Sequence, residues 1–418
     1  MPMQRTIVGI DVGTTKVCTI VAQVSDSGKL NILGVGVTPS KGLDKGVVVN
    51  IDDAVNAISA SVEKAERLSG YRVGTAFVGV SGRHISSLNS RGVVAVQRPD
   101  HEITRNDVAR AVEAAQAVAI PTQREIIHVI PRAYVVDGHE GIRDPIGMAG
   151  FRLEVETHIV TGEVMAIQNL IRSVQKAGVE IDDLVLQPLA SGEGCLTADD
   201  KDRGVMLVDI GGGTTDIAIF VQGGVWHTSV ISVGGHHFTN DLTYVLHTPH
   251  NTAEYLKLRY GSAIAGDPPA EGDESDQIET ETLTVGEKQK ISRHLLNEVL
   301  QARAEQVVEL IYNEIKRSGY EGLLPAGIVL TGGGAQLGRL DELMRDMLGM
   351  PVRIGLPTDL SGLADTLDSP SYTTGVGLLR WGSRHGLSML GPTHRNDERP
   401  GWGSVYERFK GWLREFLP

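Results

Sequence analysis

The sequence predicts an α/β protein of two similar halves that face each other across a cleft, with a small α+β subdomain inserted in the first half. The main evidence is a repeat at 7–17 and 205–217: an apolar run, an Asp, a Gly/Thr turn and a second β-rich run. A third glycine cluster, at 331–334, follows an apolar run. The chain has 418 residues, which is more than one hydrophobic core usually supports.

The first half is predicted to open with a β-hairpin that carries the first Gly/Thr turn at its tip. A helix at 52–68 and a strand at 75–82 follow it. We assign 1–82 together with 162–195 to one subdomain, to which the chain returns through a helix predicted at 163–176.

The block at 83–161 is the predicted insertion, because prolines divide it into short elements of both types. Its expected elements are strands at 92–97, 126–136 and 153–161 and a helix at 106–119 capped by Thr104.

In the second half, 196–235 with 325–386 forms one predicted subdomain and 236–324 forms another. The expected elements are a helix at 288–317, a strand at 325–330 and a helix at 340–348. The segment 266–282 contains seven acidic and no basic residues, which predicts a solvated loop.

The composition is that of a globular protein, with 41% hydrophobic and 22% charged residues. A net charge of −13 argues against nucleic acid as a partner, since such binding needs a basic surface. Cys18 and Cys195 lie far apart and are expected to be buried, reduced thiols. Residues 1–11 are too short for a signal peptide, and no apolar run predicts a transmembrane helix.

The repeated turns are typical of phosphate binding. Glycines let backbone N–H groups approach a phosphate, and threonine hydroxyls add further donors. An aspartate beside a triphosphate repels it unless a cation lies between them, so Asp11 and Asp209 are predicted to hold Mg²⁺ through its water ligands. Lys16 is expected to offset phosphate charge. One such turn alone would also be compatible with an ordinary hairpin tip. No GxxxxGK[ST] motif occurs, which excludes the P-loop class of nucleotide-binding proteins.

Several further stretches resemble the FtsA family of bacterial cell-division proteins, within the actin-like ATPase superfamily. They are GVG at 34–36, GLDKG at 42–46, VSGRHI at 80–85, HVIP at 128–131, GIRDPIGM at 141–148 and AGIVLTGG at 326–333. The resemblance extends over nearly the whole chain. It implies a duplicated actin-like (ribonuclease H-like) fold with a central ATP cleft, in which the parts assigned above are subdomains 1A, 1C, 2A and 2B.

The resemblance also implies which residues bind Mg²⁺ and ATP. The nucleotide set is Gly13, Thr14, Thr15 and Lys16 in the first turn, Gly211, Gly212, Gly213, Thr214 and Thr215 in the second, and Gly332, Gly333 and Gly334 in an adenosine loop. Glu254 and Lys257 match a helix that contacts the nucleoside, and residues with this spacing share a helix face. Without the resemblance, they would be interpreted as a surface ion pair.

The candidate catalytic residues are Gln187, Asp11 and Asp209. Gln187 occupies the position where relatives such as Hsp70 and MreB have a Glu that helps to place the attacking water, as the resemblance implies. A neutral amide orients water but does not accept its proton. The sequence therefore predicts at most a slow, Mg²⁺-dependent ATPase.

The FtsA resemblance further implies a protein on the cytoplasmic side of the cell membrane, at the division site. Its expected partners are the C-terminal peptide of FtsZ, copies of itself in a filament, the lipid surface and other division proteins. Arg293, Asn297 and Arg303 on the long helix are candidate contacts for the acidic peptide. A solvated helix face would show the same pattern.

Residues 402–418 predict an amphipathic helix, preceded by a flexible linker at 387–401. The apolar residues form one stripe: Trp402, Val405, Tyr406, Phe409, Trp412, Leu413, Phe416 and Leu417. Charged residues cover the other face, so the helix is expected to lie in the membrane interface. The alternative is a helix that packs on the body of the protein.

Three other functions are known for this fold and were weighed against the sequence. A pilus-assembly relative would share the nucleotide cleft and the insertion. A small-molecule kinase would need an acceptor pocket and a general base, which we do not find in the sequence. An Hsp70-like chaperone would need a peptide-binding domain near the C-terminus, where there is too little chain for one.

Overall fold

The computed structural model describes residues 5–25, 28–268, 274–283 and 287–385. The strands are β1 (Arg5–Val12), β2 (Lys16–Val24), β3 (Leu30–Pro39), β4 (Leu43–Asp44), β5 (Val47–Val48), β6 (Thr75–Val80), β7 (Ile85–Ala95), β8 (Arg124–Val136), β9 (His139–Ile142), β10 (Arg152–Glu163), β11 (Glu180–Leu186), β12 (Val205–Ile210), β13 (Thr215–Val221), β14 (Gly224–Ile231), β15 (Gln277–Glu281), β16 (Lys288–Ser292), β17 (Ile328–Thr331), β18 (Val352–Ile354) and β19 (Leu360–Gly362). The α-helices are α1 (Ile51–Ser69), α2 (Arg105–Gln116), α3 (Val164–Lys176), α4 (Gln187–Cys195), α5 (Ala198–Arg203), α6 (Gly235–Leu246), α7 (His250–Tyr260), α8 (Arg293–Ser318), α9 (Leu340–Leu348) and α10 (Thr373–His385). Short 3₁₀ turns occur at Glu274–Asp276, Gly333–Gln336, Ala364–Leu367 and Pro370–Tyr372.

The two large sheets share a five-stranded topology, to which the first sheet adds β19, and this is the structural form of the sequence repeat. Their strand orders are β11-β6-β1-β2-β3-β19 and β14-β13-β12-β17-β18. Each sheet is built on a hairpin, β1–β2 or β12–β13, with an antiparallel strand beyond its second member and a parallel strand beside its first. The predicted duplication is confirmed.

A hydrophobic core joins the two sheets at the base of the cleft. Helix α10 packs on the first sheet, α4 packs on the second, and the two helices contact each other. The core includes Ile20 and Phe77 of the first sheet, Leu207 and Phe220 of the second, and Leu378 of α10. Burying one such side chain is worth about 1.5–3 kcal/mol, so this shared core holds the two hairpins in a fixed relation.

The insertion is a sheet of order β7-β10-β8-β9 covered by α2. Thr104 and Asp107 form a capping box at the start of α2, which confirms the predicted N-cap at Thr104. Strand β7 begins well before the strand predicted at 92–97. Its first part is mostly polar, with only Ile85 and Leu88 apolar and no alternating pattern, but it pairs with β10 along its whole length.

The segment 266–282 is only partly a loop, and the helix predicted at 288–317 begins later. Strand β15 lies in the acidic segment and pairs antiparallel with β16. Glu279 and Lys288 form an ion pair of 2.9 Å across this hairpin. Ser292 then caps α8 by accepting a backbone N–H of its first turn. Acidic residues pair here with lysines downstream, a contact that local periodicity does not indicate.

The insertion also packs against β14 of the second half. His158 of β10 is buried, with Nδ1 2.8 Å from Asn89 Oδ1 and Nε2 2.8 Å from Thr228 Oγ1. The Arg132 guanidinium lies 4.3 Å from the Trp226 ring centre. Subdomain 1C is therefore attached to both halves.

We expect the contact at His158 to make the protein sensitive to acid. Burial lowers the pKa of His158 to about 3, whereas an unfolded chain restores the ordinary value near 6.5. Between these values the unfolded state binds more protons, so stability is lost as pH falls below about 6.5, by about 1–2 kcal/mol at pH 5. Urea unfolding at pH 7.5 and at pH 5 should show that the free energy of unfolding falls less between the two pH values for His158→Gln than for the wild type. Equal losses would contradict this account.

The predicted linker at 387–401 and the predicted amphipathic helix at 402–418 lie outside the described residues. Within the described ranges, no helix is both long and apolar enough to cross a membrane. Cys18 and Cys195 are buried free thiols, as expected.

Candidate functional site

The same type of backbone hydrogen bond closes each of the two Gly/Thr turns. In the first turn the Gly13 N–H donates to the Lys16 carbonyl at 3.0 Å, and in the second the Gly211 N–H donates to the Thr214 carbonyl at 2.9 Å. Thr215 is completely buried and its hydroxyl donates to a backbone carbonyl, so this group is engaged within the second half. The repeat in sequence is thus also a repeat in backbone geometry.

The two turns, one from each half, contact each other. A methyl group on Gly212 would lie 1.9 Å from Thr15 Oγ1, and one on Gly213 would lie 2.9 Å from Thr14 Oγ1. His236 Nε2, at the start of α6, lies 3.4 Å from Thr15 Oγ1. The predicted facing of the two turns is therefore present in the structure, and it depends on glycine at these positions.

Three buried carboxyl groups lie at the base of the turns: Asp11, Asp209 and Asp216. Burial raises the pKa of Asp11 and of Asp216 to about 7. Burial also raises the pKa of Asp209. An ionised carboxylate is unfavourable in such surroundings unless a cation or donor compensates it. Among the described residues, no group of three or more His, Cys, Asp or Glu side chains is arranged to bind a metal ion directly, so a cation held here would keep its water ligands.

Both halves and the central helices hold these carboxylates in place. Asp209 accepts hydrogen bonds from Ser191 Oγ of α4 at 2.6 Å and Thr374 Oγ1 of α10 at 3.1 Å. Asp216 accepts one from Ser81, which lies in the first half. The position of the second turn is therefore coupled to the packing between the sheets.

Gln187 and Lys16 flank the same cluster. Gln187 Nε2 donates to Asp11 Oδ1 at 2.9 Å. Lys16 Nζ lies 3.7 Å from the centre of the Tyr372 ring, and burial lowers the pKa of Lys16. Two of the predicted catalytic residues are thus in direct contact, and a cation lies on the adjacent strand.

The third glycine cluster packs directly on the second turn. Gly332 has a φ of +83°, and a methyl group there would lie 2.3 Å from Asp209 Oδ1. A methyl group on Gly334 would lie 2.4 Å from the Ile210 side chain. Gly333 is open, since the nearest atom to its added methyl group would be 3.9 Å away. The predicted adenosine loop therefore adjoins the carboxylate cluster.

Glu254 and Lys257 form an ion pair of 2.8 Å on one face of α7. Both contact the hydroxyl of Thr239, which belongs to α6. Lys257 Nζ also donates to the Gly235 carbonyl at 3.2 Å, and the Gly235 N–H donates to Gly211 of the second turn. The pair is therefore connected to the turn and is more than an isolated surface ion pair.

The three residues predicted to contact an acidic peptide differ in accessibility. Arg293 is exposed and lines a surface cavity of about 420 Å³ together with Asn297. Asn297 is 5% exposed, and its Oδ1 accepts a backbone N–H of the adjacent loop. Arg303 forms two hydrogen bonds with the carboxylate of Asp241. Of the three, Arg293 offers the most accessible charge.

The sequence interpretation missed Asp216 and the supports of Asp209. A signal for Asp216 was present, because aligning the two Gly-Thr-Thr stretches puts it opposite Lys16. Ser191 lies in the same segment as Gln187, but neither it nor Thr374 was assigned a role, because both reach the cluster only through the packing of α4 and α10.

Comparison with known proteins identifies relatives along nearly the whole chain. A family model described as "Cell division protein FtsA" matches 206–377, and one described as "SHS2 domain inserted in FTSA" matches 82–161. The chain is 43% identical over 415 residues to cell division protein FtsA of Pseudomonas aeruginosa, with 98% of each chain covered. It is 34% identical over 419 residues to that of Escherichia coli strain K12, covering 99% of this chain and 98% of the relative.

Solved structures show the same fold at low sequence identity. The "PilM-PilN type IV pilus biogenesis complex" matches with a TM-score of 0.65 and 15% identity, covering 90% of this chain and 98% of that one. MreB5 of Spiroplasma citri bound to ADP matches with a TM-score of 0.52 and 17% identity, covering 90% and 95%. The chain thus has the actin-like fold that its sequence predicts.

Proposed function

Because the chain belongs to the FtsA family of bacterial cell division proteins, we propose that it binds ATP and Mg²⁺ in its cleft and tethers FtsZ to the membrane at the division site. In this proposal the predicted amphipathic helix at 402–418, called the tail below, holds the protein on the cytoplasmic face as a peripheral protein. Copies assemble into filaments through head-to-tail contacts that include subdomain 1C, and other division proteins bind to them.

The observation that carries the nucleotide proposal is the meeting of two Gly/Thr turns over buried carboxylates. Glycines at the contact leave no side chain in the way of a phosphate chain, and Thr14 and Thr15 offer hydroxyl donors. Bound Mg²⁺ supplies positive charge that offsets the triphosphate. Asp11 and Asp209, both buried at the base of the turns, would hold it through its water ligands.

We expect the purified protein to bind ATP more tightly with Mg²⁺ than without it, and to hydrolyse it slowly. Gln187 is in contact with Asp11 and has no basic group to accept a proton from water, so turnover should stay below about one per second, the low end for enzymes. Equilibrium binding and phosphate release would measure both properties. A protein without nucleotide affinity would rule out the proposal, and fast turnover would rule out the role of Gln187.

The cavity beside Arg293 supports a peptide site in subdomain 2B. An exposed guanidinium suits the carboxylates of an acidic peptide. Asp276, which also lines the cavity, accepts the His294 N–H at 3.0 Å and so is engaged with α8. The cavity is lined by two arginines, Arg293 and Arg339, and two aspartates, Asp267 and Asp276. Arg339 pairs with Glu342 at 2.8 Å, so Arg293 is the guanidinium proposed to contact a peptide carboxylate.

Charge reversal by Arg293→Glu is expected to weaken binding of the FtsZ C-terminal peptide by roughly three- to tenfold, because attraction becomes repulsion. Fluorescence anisotropy with a labelled peptide would measure the change. Arg67→Glu, on the exposed part of α1, makes the same charge change elsewhere and should leave the affinity unaltered. Equal effects of the two substitutions would show that only net charge matters.

The pilus-assembly alternative rests on fold similarity alone, since that match is 15% identical. Relatives in the cell-division family are 34% to 43% identical over almost the whole chain, which favours FtsZ as the partner.

A further inference from the structure

One buried side chain of the inserted subdomain, His128, contacts the strand that leads to Gln187. This residue lies on β8 within the HVIP stretch and is 6% exposed. Its Nε2 accepts a hydrogen bond from the Leu186 N–H at 3.0 Å. The next residue is Gln187, whose side chain donates to Asp11. A chain of two hydrogen bonds thus leads from subdomain 1C to the carboxylate cluster.

The Leu186 N–H needs an acceptor from outside its own sheet. Strand β11 is the edge strand of the first sheet, so on one side it has no neighbouring strand to accept its N–H groups. Leu186 is completely buried, and a buried N–H group without an acceptor is unfavourable. His128 supplies the acceptor that a further strand would otherwise provide.

Packing holds the His128 ring in this position. The ring lies edge-on to Trp381 of α10, with ring centres 5.5 Å apart. The Trp381 indole in turn donates to Asp183 of β11 at 3.1 Å. The acceptor is therefore fixed relative to the strand that it contacts.

We infer that His128 is a positioning residue for the nucleotide site. It holds the backbone at the junction of β11 and α4, and thereby keeps the Gln187 amide against Asp11. A displacement of subdomain 1C, for example by contact with a second copy of this chain, is transmitted to the cleft through this bond. The consequence for Mg²⁺ and ATP rests on the proposed function, whereas the effect on the backbone does not.

The first test measures amide hydrogen exchange in the full-length protein without nucleotide. His128→Leu removes the acceptor at similar volume, and His128→Gln keeps an acceptor near the position of Nε2. We expect exchange of the Leu186 amide to rise by about fivefold or more in His128→Leu and to stay near wild type in His128→Gln. Val155→Ala, which loosens the separate core of subdomain 1C and leaves His128 and Trp381 unchanged, controls for general destabilisation. Unchanged exchange in His128→Leu would overturn the inference.

The second test compares ATP affinity with and without Mg²⁺. We expect His128→Leu to weaken only the Mg²⁺-dependent affinity, by about three- to tenfold, and to have no further effect when Gln187→Ala is already present. Equal weakening under both conditions, or full additivity with Gln187→Ala, would indicate a merely structural role and overturn the inference. A wild-type protein that binds no ATP would reject the proposed function instead, and the exchange result would still decide the role of His128.

Discussion

Deletion of residues 402–418 is expected to abolish binding to lipid vesicles and to leave ATP binding unchanged. Eight apolar side chains form one stripe on this predicted helix, and each is worth about 1.5–3 kcal/mol when fully buried. The segment has three basic and two acidic side chains, a local charge of only +1. Attraction to anionic lipid is worth about 1 kcal/mol per basic residue, so apolar burial should dominate.

Co-sedimentation with vesicles would measure this effect, with the C-terminal peptide of FtsZ added to follow the tether. Within the tail, Trp412→Glu places a charge in the apolar stripe and should weaken binding strongly. Glu407→Gln changes the polar face and should not weaken it. A truncated protein that still pellets with vesicles would show that another surface holds the membrane.

Substitution of Gly332 by alanine is expected to cause the largest loss in the nucleotide site. The residue has a φ of +83°, which non-glycine residues adopt only at a cost of about 1–3 kcal/mol. The new methyl group would lie 2.3 Å from Asp209 Oδ1, so either the loop or the carboxylate must move. We expect ATP affinity to fall by at least about tenfold, with a loss of stability of about 3 kcal/mol.

Gly333→Ala is the matched control for stability, because it lies in the same loop and its added methyl group has open space. Urea unfolding should show little change for this variant and a clear loss for Gly332→Ala. ATP affinity of both would be measured by equilibrium titration. If Gly332→Ala matched the wild type in both measurements, the close packing of this loop on Asp209 would contribute neither to stability nor to ATP affinity.

Much of the fold could be predicted because its signals are local. The two hairpins, the helices α1 and α9, and the capped helix α2 each have their apolar periodicity or cap within a few residues. Polar segments were harder to predict. The first part of β7 and the acidic strand β15 are strands only because β10 and β16 lie beside them.

By itself, the sequence determined the duplication, the two Gly/Thr turns, the third glycine cluster and the apolar stripe at 402–418, since each is encoded by residue type and short spacing. Only the tertiary structure decided that Asp216 joins Asp11 and Asp209, that Asn297 is buried, and that His128 supports the strand before Gln187. These relations join residues far apart in the chain. They arise because two sheets and an insertion pack on shared helices. This packing brings buried polar groups together, and no local sequence pattern indicates which groups will meet.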